Sequence, residues 1–319
     1  MNLDIRPFTP EDYPAVTAIV NAAYAEYPRS VEELRFQDEH RDPKCKFQRW
    51  VAQGEGQVLA CGEYNQTASM YHPRKFWLDV AVQPDRRRQG IGARLYDHVM
   101  AALQPFDPLA VRAGVREDMT HSLQFLKRRA FQEDMRSWES RLDVAAFDFA
   151  PYAGAEERAR AQGIEIKSFA ELAADPDRNR KVYELTMEVE RDVPSPDPHT
   201  DVSYEFFVER RLNDPNLLPD AFFVALHDDK YVGTSALWAS QGNDDLYTGL
   251  TGIRRDYRRK GIALALKLRG IAYARAHGRS LIKTWNESRN RPMLSINEAL
   301  GYVKQPAWIF FVKVLKEES

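Results

Sequence analysis

The chain repeats itself, and this repeat constrains the fold more than any other feature of the sequence. The segments LDVAVQPDRRRQGIGARLYDHVM (78–100) and LTGIRRDYRRKGIALALKLRGIA (250–272) both pass from an apolar stretch through a basic turn into a glycine-bearing amphipathic segment. Arg258 follows Arg87 by 171 positions. Because the spacing stays constant over a long stretch, the sequence predicts two duplicated domains with one fold.

Other residues repeat at the same spacing, which indicates that whole domains are duplicated. The pairs are Gly62 with Gly233, Gly90 with Gly261, Gly92 with Ala263, and Phe131 with Tyr302. A chain of 319 residues suits two domains of roughly 150 residues, each large enough for its own core. We predict an N-terminal domain at 1–150, a linker within 145–163 and a C-terminal domain at 160–319.

Hydrophobic periodicity predicts an α/β fold with the same order of elements in both copies: a strand, two helices, three strands, the helix after the basic turn, a strand, a helix and a last strand. In the first copy the predicted strands are 3–7, 48–53, 57–64, 76–83, 109–115 and 131–141, and the helices are 11–25, 30–39, 90–103 and 119–128. In the second copy the strands are 164–169, 222–227, 231–238, 246–253, 280–285 and 307–315, and the helices are 177–190, 203–212, 261–277 and 292–299.

Composition excludes several classes of protein. With 45 basic and 47 acidic residues the formal charge is −2, which provides no field for binding nucleic acid or an anionic membrane. Cys45 and Cys61 are the only cysteines and form no CxxC motif, so we expect reduced thiols, with no disulfide and no metal site. The N-terminus is charged and no run of 18 apolar residues occurs, so we expect a cytoplasmic protein that neither carries a signal peptide nor spans a membrane.

The glycines of the repeated motif lie where a strand passes into a helix. Backbone N–H groups point outward there and the helix dipole is positive, which favours a phosphate or pyrophosphate group. Gly90 and Gly261 permit a positive φ or a close approach of the backbone to the anion. Two other phosphate motifs are excluded. A P-loop needs Gly-Lys before Ser or Thr, but Ile follows both glycines, and the third glycine of a dinucleotide fingerprint is replaced by Leu95.

These motifs resemble the Q/R-x-x-G-x-G/A signature of the GNAT superfamily of acetyltransferases. The resemblance covers nearly the whole chain, and the second copy adds TWNESRNRPMLSINEALGY (284–302), which is similar to the family's strand, Asn-containing turn and closing Leu-Gly-aromatic ending. The resemblance implies two tandem GNAT-like domains, each with a mostly antiparallel mixed sheet, flanking helices and a splayed cofactor cleft. It also implies acetyl-CoA as the cofactor and N-acetyl transfer to an amine as the activity.

The resemblance also assigns residues to the cofactor. Pyrophosphate would be held at the glycine corners by Arg87, Arg88, Gln89, Gly90, Ile91, Gly92 and Ala93 in the first copy, and by Arg258, Arg259, Lys260, Gly261, Ile262, Ala263 and Leu264 in the second. The pantetheine arm would pair with the backbone of Val80 and Val82, or of Thr251 and Ile253. Asn286 and Asn290 match positions that help to hold this arm, although an Asn at such a junction is equally often a turn residue or a helix cap.

Catalytic residues stay unassigned by the sequence. Many relatives use a tyrosine as the general acid, four residues before the glycine of the closing motif. This chain has Leu126 and Asn297 at those positions. The first copy also lacks the Asn-rich turn, so we expect the second copy to turn over and the first to bind cofactor weakly or to serve structure. Asp79 lies near a carboxylate that some relatives keep, but a partly exposed strand acid explains it as well.

The acceptor site is predicted only in outline. The candidate acceptor residues are Glu190, Asp192, His199, Trp238 and Tyr247, with Glu188 and Trp285 nearby. Solvated helix faces explain the acids, and core packing explains the aromatic residues. The expected partner is a small-molecule or peptide amine, and the sequence leaves its identity and the oligomeric state open. The alternative function is a non-catalytic acyl-CoA sensor or scaffold, which the missing tyrosines would explain.

Overall fold

The structure, a computed structural model, describes residues 3–317, and these form two compact units. The first unit comprises residues 3–136, Pro196–Thr200 and residues 308–317. The second comprises Ser137–Ser195 and Asp201–Ala307. The first unit therefore takes two segments from the second half of the sequence. The predicted repeat limits describe order along the chain, whereas these units describe packing.

The helices and strands follow the repeated order. In chain order, the first half contains β1 (Asp4–Pro7), α1 (Tyr13–Ala23), α2 (Val31–Glu39), β2 (Gln48–Gly54), β3 (Gln57–Asn65), β4 (Lys75–Val82), α3 (Ile91–Leu103), β5 (Ala110–Arg116), α4 (Thr120–Lys127) and β6 (Gln132–Asp143). The second half contains α5 (Ala155–Arg160), β7 (Ile164–Ser168), α6 (Arg178–Glu190), α7 (Tyr204–Phe207), β8 (Leu217–His227), β9 (Lys230–Trp238), β10 (Leu246–Ile253), α8 (Ile262–Ala276), β11 (Leu281–Glu287), α9 (Arg291–Ala299), β12 (Val303–Lys304) and β13 (Trp308–Val314).

Shorter helical turns connect these elements. Single 3₁₀ turns are formed by Pro10–Asp12, Ala68–Met70, Pro84–Arg86, Gln104–Phe106, Ala150–Tyr152, Glu171–Ala174 and Arg255–Tyr257. The helix predicted at 203–212 is α7 followed by a π-helical turn, Val208–Leu212. The segment predicted as a linker contains α5, whose Ala159 is buried in the core of the second unit.

The sheet of the first unit has the order β1-β2-β3-β4-β5-β13. All neighbours are antiparallel except β4 and β5, which are parallel. The last strand of the chain is thus part of this sheet: β13 pairs with β5 from Trp308 opposite Arg116 to Val314 opposite Ala110.

The sheet of the second unit has the order β7-β8-β9-β10-β11-β6, and β12 also pairs with β6. Only β10 and β11 are parallel. Here β6 contributes Ser137–Asp143, which pair with β11. The prediction of an α/β fold with mixed, mostly antiparallel sheets and flanking helices is confirmed.

In each unit the two parallel strands pair over a short length and then part. The pairing of β4 with β5 ends with Trp77 opposite Arg112, and the pairing of β10 with β11 ends with Tyr247 opposite Lys283. The remainder of β4 and of β10 is free of a parallel neighbour. A cleft therefore opens along Leu78–Val82 in the first unit and along Thr248–Ile253 in the second.

Helices cover both faces of the first sheet. Leu95 and Val99 of α3 pack with Leu59 and Phe76 on one face. Residues of α1, including Val16 and Ile19, pack with Val51 and Cys61 on the other face. Cys61 is buried and Cys45 partly buried, and both are free thiols. Among residues 3–317, no helix combines the length and apolar character that crossing a bilayer requires.

One pair of the predicted repeat is wrong. Gly62 lies opposite Val80, but Gly233 lies opposite Ile253, the last residue of β10. The residue opposite Val82, the last residue of β4, is Ala60. Gly233 therefore matches Ala60, because the stretch from Gly233 to Ile253 is two residues shorter than the stretch from Ala60 to Val82.

Candidate active site

Matching corners precede α3 and α8. Gly90 has φ 80° and Gly261 has φ 78°, so both adopt the left-handed conformation that favours glycine. No side chain caps either helix, and a Cβ at either glycine would meet no heavy atom within 4 Å. The first N–H groups of each helix therefore have no intrahelical partner, and the space beside each glycine is open, as an anion site at a helix N-terminus requires.

The loop before each glycine is also matched. Arg88 has φ 63° and Arg259 has φ 60°, a conformation that is uncommon for residues with a side chain. Both copies keep this unfavourable backbone two residues before the glycine. Its recurrence indicates that the shape of the corner is required, since such strain is retained mainly where the surrounding structure imposes it.

The two corners differ in their arginines. Arg87 and Arg258 donate Nε to the carbonyl of the last strand residue, Val82 at 3.3 Å and Ile253 at 3.0 Å. Arg258 also donates to the carboxylate of Asp192, as does Arg255 at 3.1 Å. Arg87 has no carboxylate partner among residues 3–317. The charge of Arg258 is therefore balanced by Asp192, whereas the charge of Arg87 remains available to a ligand.

Asp192 acts in this ion pair as a stable anion. Hydrogen bonds from Arg255, and next from Arg258, lower the pKa of Asp192 to about 2. A carboxylate with so low a pKa is a poor proton acceptor near neutral pH. The role of Asp192 supported by these contacts is to tie the end of α6 to the second corner.

We expect the pairing of Asp192 to appear in the pH dependence of stability. The folded pKa is depressed, so the stabilisation is present above the unfolded value of about 3.9 and is lost as pH falls through about 2. Asp192→Asn should lower the free energy of unfolding by about 1 kcal/mol at pH 7, because its partner arginines are exposed and screened. Thermal unfolding at pH 7 and pH 2.5 measures this, and an equal difference between wild type and variant at both pH values would contradict it.

The cofactor-facing strands are not equivalent. In β4 the pairing with β3 is continuous, whereas β10 has a bulge between Thr248 and Thr251. Bulges bend a strand and re-aim its groups, and they are frequent beside active sites. Thr251 is further held by a 2.9 Å hydrogen bond between its hydroxyl and that of Ser235. Val80, Val82, Thr251 and Ile253 all lie beyond the point where the parallel strands part.

The two asparagines of the predicted turn have different surroundings. Asn290 is the N-cap of α9, and its side chain accepts a hydrogen bond from the Met293 N–H at 3.4 Å. Asn286 lies on β11 and accepts a 2.6 Å hydrogen bond from the amide of Asn297. Asn297 is buried on α9, at the position of the missing tyrosine. Sequence reasoning noted Asn297 only for what it replaces and missed this amide pair.

The candidate acceptor residues do not form one group. Glu190 accepts a hydrogen bond from Arg211, and Asp192 is held as described. His199 belongs to Pro196–Thr200 in the first unit, where the Thr200 N–H donates to the Ser69 carbonyl at 2.7 Å. His199 therefore belongs to the first unit, whereas the other four residues belong to the second.

Aromatic rings line the second unit at the start of its cleft. Tyr247 lies opposite Trp238 on β9, and its ring stacks parallel to that of Trp285 with centroids 5.8 Å apart. The amide of Asn243 donates to the Tyr247 hydroxyl at 3.2 Å. Lys283, which is buried, pairs with Asp245 at 2.7 Å beside this ring. Aromatic faces next to charged groups can bind the alkyl part of an amine and orient its polar end.

Asp79 lies on β4 directly opposite Glu63, at the start of the first cleft. Its side chain keeps solvent exposure, and Asn65 lies 3.5 Å away. Desolvation by the protein around it, followed by repulsion from Glu63, raises the pKa of Asp79 to about 6. The corresponding stretch of β10 carries Leu250. The ionisable strand acid is therefore confined to the first unit.

Comparison with known proteins agrees with this geometry. The acetyltransferase (GNAT) family matches residues 13–131 and 179–302, one stretch in each copy and together more than half of the chain. The chain belongs to the GNAT family, whose members generally use acetyl-CoA. It is an N-acetyltransferase of tandem organisation.

Individual relatives have the same layout. A mycothiol acetyltransferase of Thermobifida fusca (strain YX) is 25% identical over 256 residues, which is 75% of each protein. A tandem GNAT protein from the clavulanic acid biosynthesis pathway has a similar fold, with a TM-score of 0.78, 18% identity and full coverage of both chains. A GCN5-related N-acetyltransferase from Sphaerobacter thermophilus has a TM-score of 0.69 at 19% identity. The match covers 99% of this chain and 97% of the Sphaerobacter chain.

Proposed function

We propose that this protein transfers an acetyl group from acetyl-CoA to a primary amine and that the second unit carries out the turnover. The observation that carries the proposal is the open, left-handed corner at Gly261, which is repeated at Gly90. Acetyl-CoA supplies an activated thioester when bound. The chain would hold its diphosphate through the N–H groups at the start of α8 and its pantetheine arm along Thr251 and Ile253.

Three features support the second unit as the site of transfer. Its strand β10 has a bulge, its cleft contains the Asn286–Asn297 pair, and Tyr247 stacks on Trp285 near the point where the strands part. The first unit has no bulge recorded in β4, and Leu126 replaces Asn297. We propose that 1–150 and 160–319 are the two acetyl-CoA-binding repeats and that the first binds more weakly or serves structure.

The amine must lose a proton before it attacks. A free alkylamine such as lysine has a pKa of about 10.4, so a base or a water chain must accept that proton near neutral pH. Asp192 is unsuited to this role because its pKa is about 2. The aromatic wall of Trp238, Tyr247 and Trp285 would orient the acceptor. A small molecule with a primary amine is the acceptor class we favour. The relative from Thermobifida fusca is named a mycothiol acetyltransferase, which agrees with this choice.

The proposal is tested by thiol release from acetyl-CoA in the presence of a panel of primary amines, with calorimetric titration of acetyl-CoA alone. We expect binding heat and amine-dependent release of CoA. Binding with no release across the panel would favour the alternative, an acyl-CoA sensor, for which Leu126 and Asn297 in place of tyrosine are the supporting observation. The absence of both signals would refute acetyl-CoA as a ligand.

A further inference from the structure

The second unit has a largely buried polar cluster where the first unit has apolar core. The polar cluster consists of Thr248, Lys267, Asn286, Asn297 and Tyr302. The matching residues of the first unit are Leu78, Tyr96, Val115, Leu126 and Phe131, which all belong to one hydrophobic core. The first unit is therefore an internal control: the same fold closes this region with apolar and aromatic packing.

Strand pairing establishes that Thr248 matches Leu78. Trp77 pairs with Arg112, and Tyr247 pairs with Lys283, which follows Arg112 by the repeat spacing of 171. Leu78 and Thr248 are each the next residue along the strand. The other four matches follow directly from the repeat spacing. Thr248 is consequently the first residue of β10 after the two parallel strands part.

Lys267 is the charged member of the polar cluster. Its exposure is 4%, and no described residue forms a hydrogen bond or an ion pair with it. Its Nζ lies over the ring of Tyr302, 5.3 Å from the ring centroid. Burial lowers the pKa of Lys267 to about 8. A buried ammonium without an anion is unfavourable, so this position would be stabilised by a negatively charged partner that the described chain does not supply.

One oxygen atom of the polar cluster also lacks a partner. Asn297 is 2% exposed; its Nδ2 donates to Asn286, but its Oδ1 has no hydrogen-bond partner among residues 3–317. The hydroxyl of Thr248 is buried beside the hydroxyl of Tyr302. Buried polar groups are nearly always satisfied in folded proteins, so the Asn297 oxygen and the Lys267 ammonium, two exceptions in one cluster, point to a bound group.

The polar cluster lies where the acyl end of a bound thioester would arrive. Lys267 is one turn after Ala263 on α8, the helix that begins at the Gly261 corner. An acyl-CoA with its diphosphate at that corner and its pantetheine arm along Ile253 and Thr251 brings its thioester towards Thr248. Lys267 is linked to this end of the arm through Tyr302, because Nζ lies 5.3 Å from the centroid of that ring and the Tyr302 hydroxyl contacts the hydroxyl of Thr248. A group attached beyond the thioester would therefore face Lys267.

We propose that the second unit accepts an acyl group with a terminal carboxylate, the acyl part of a dicarboxylic acyl-CoA such as succinyl-CoA. The ammonium of Lys267 and the hydroxyl of Thr248 are donors suited to a carboxylate, and the Oδ1 of Asn297 accepts from an amide N–H of the pantetheine arm. Acetyl-CoA has no group that reaches Lys267. This inference rests on the proposed binding of acyl-CoA in the second unit and extends it to the choice of acyl group.

The test is calorimetric titration of the full chain with succinyl-CoA and with acetyl-CoA. We expect succinyl-CoA to bind about tenfold more tightly, the range that one charge-assisted hydrogen bond provides. Lys267→Met should bring the ratio of the two dissociation constants close to one. The matched control is Lys230→Met, which removes an exposed lysine of the same unit and should leave the ratio unchanged. Thr248→Val, which keeps the charge, should lower the ratio about threefold and serves if Lys267→Met does not fold.

Equal affinities for the two thioesters in the wild type would overturn the inference, as would an unchanged ratio in Lys267→Met. The failure of the proposed function looks different: neither thioester would produce heat. Tight acetyl-CoA binding that depends on Gly261 but shows no preference for succinyl-CoA would leave the proposed function standing and remove only this inference.

Discussion

Gly261→Asp is expected to abolish acetyl-CoA binding at the second corner and to lower acetyl transfer by more than about 100-fold. Gly261 has φ 78°, so a side chain there adds backbone strain of roughly 1–2 kcal/mol. The new carboxylate would also face the diphosphate, and juxtaposed like charges cost several kcal/mol. Calorimetry with acetyl-CoA and CoA release with an accepted amine measure the two effects.

Two controls make this prediction specific. Gly261→Ala introduces the strain without the charge, so most of the loss should be absent. Gly90→Asp places the same carboxylate at the matched corner, where φ is 80° and a Cβ likewise meets no heavy atom within 4 Å. We expect Gly90→Asp to retain most of the turnover. If it abolishes turnover and Gly261→Asp does not, the first unit is the catalytic one and our choice of unit is wrong.

Arg49→Met is expected to lower the free energy of unfolding of the first unit by about 3–5 kcal/mol, the range for breaking a buried ion pair. The side chain of Arg49 is 4% exposed and donates to Asp38 and to Glu63, each at 2.6 Å. Its loss leaves both carboxylates without their shared cation. The midpoint of urea denaturation, followed by tryptophan fluorescence, measures the change.

The control for this variant is Arg35→Met, which removes an exposed arginine of α2 and should change stability by less than about 0.5 kcal/mol. Adding Glu63→Gln to Arg49→Met should restore part of the loss, because the charge of Glu63 that has lost its cation is then gone, whereas Asp38 keeps its ion pair with Arg41. A loss below about 1 kcal/mol in Arg49→Met alone would contradict the role given to this buried network.

Local sequence patterns predicted the corners and the order of elements because both depend on short-range physics. A glycine between a strand and an amphipathic segment is enough to predict that a helix begins there, and α3 and α8 begin at Ile91 and Ile262, directly after the two glycines. The limits of the strands were predicted less well: β8 begins at Leu217, before the apolar run that starts at Phe222. Pairing extends this strand, and pairing depends on neighbours that are distant in sequence.

Other features are invisible to local patterns. Lys267 on an amphipathic helix is typical of a solvated residue, and only the packed structure reveals its burial. The pairing of Asp192 with Arg258 joins residues 66 positions apart, and no motif encodes it. The match of Gly62 with Gly233 was wrong because a constant offset hides a two-residue difference in the length of the stretch from Gly233 to Ile253, which the strand register exposes.

The last strand of each copy belongs to the sheet of the other unit: β13 pairs with β5, and β6 pairs with β11. This arrangement has a consequence for how the protein is made. The sheet of the first unit is complete only when Trp308–Val314 pair with β5, and these residues are synthesised after all of the second unit. Until then β5 presents its backbone groups at an unprotected edge, which is prone to mispairing. The first unit therefore cannot be completed until the second unit has been synthesised. Deleting Trp308–Val314 would damage the unit whose synthesis begins first.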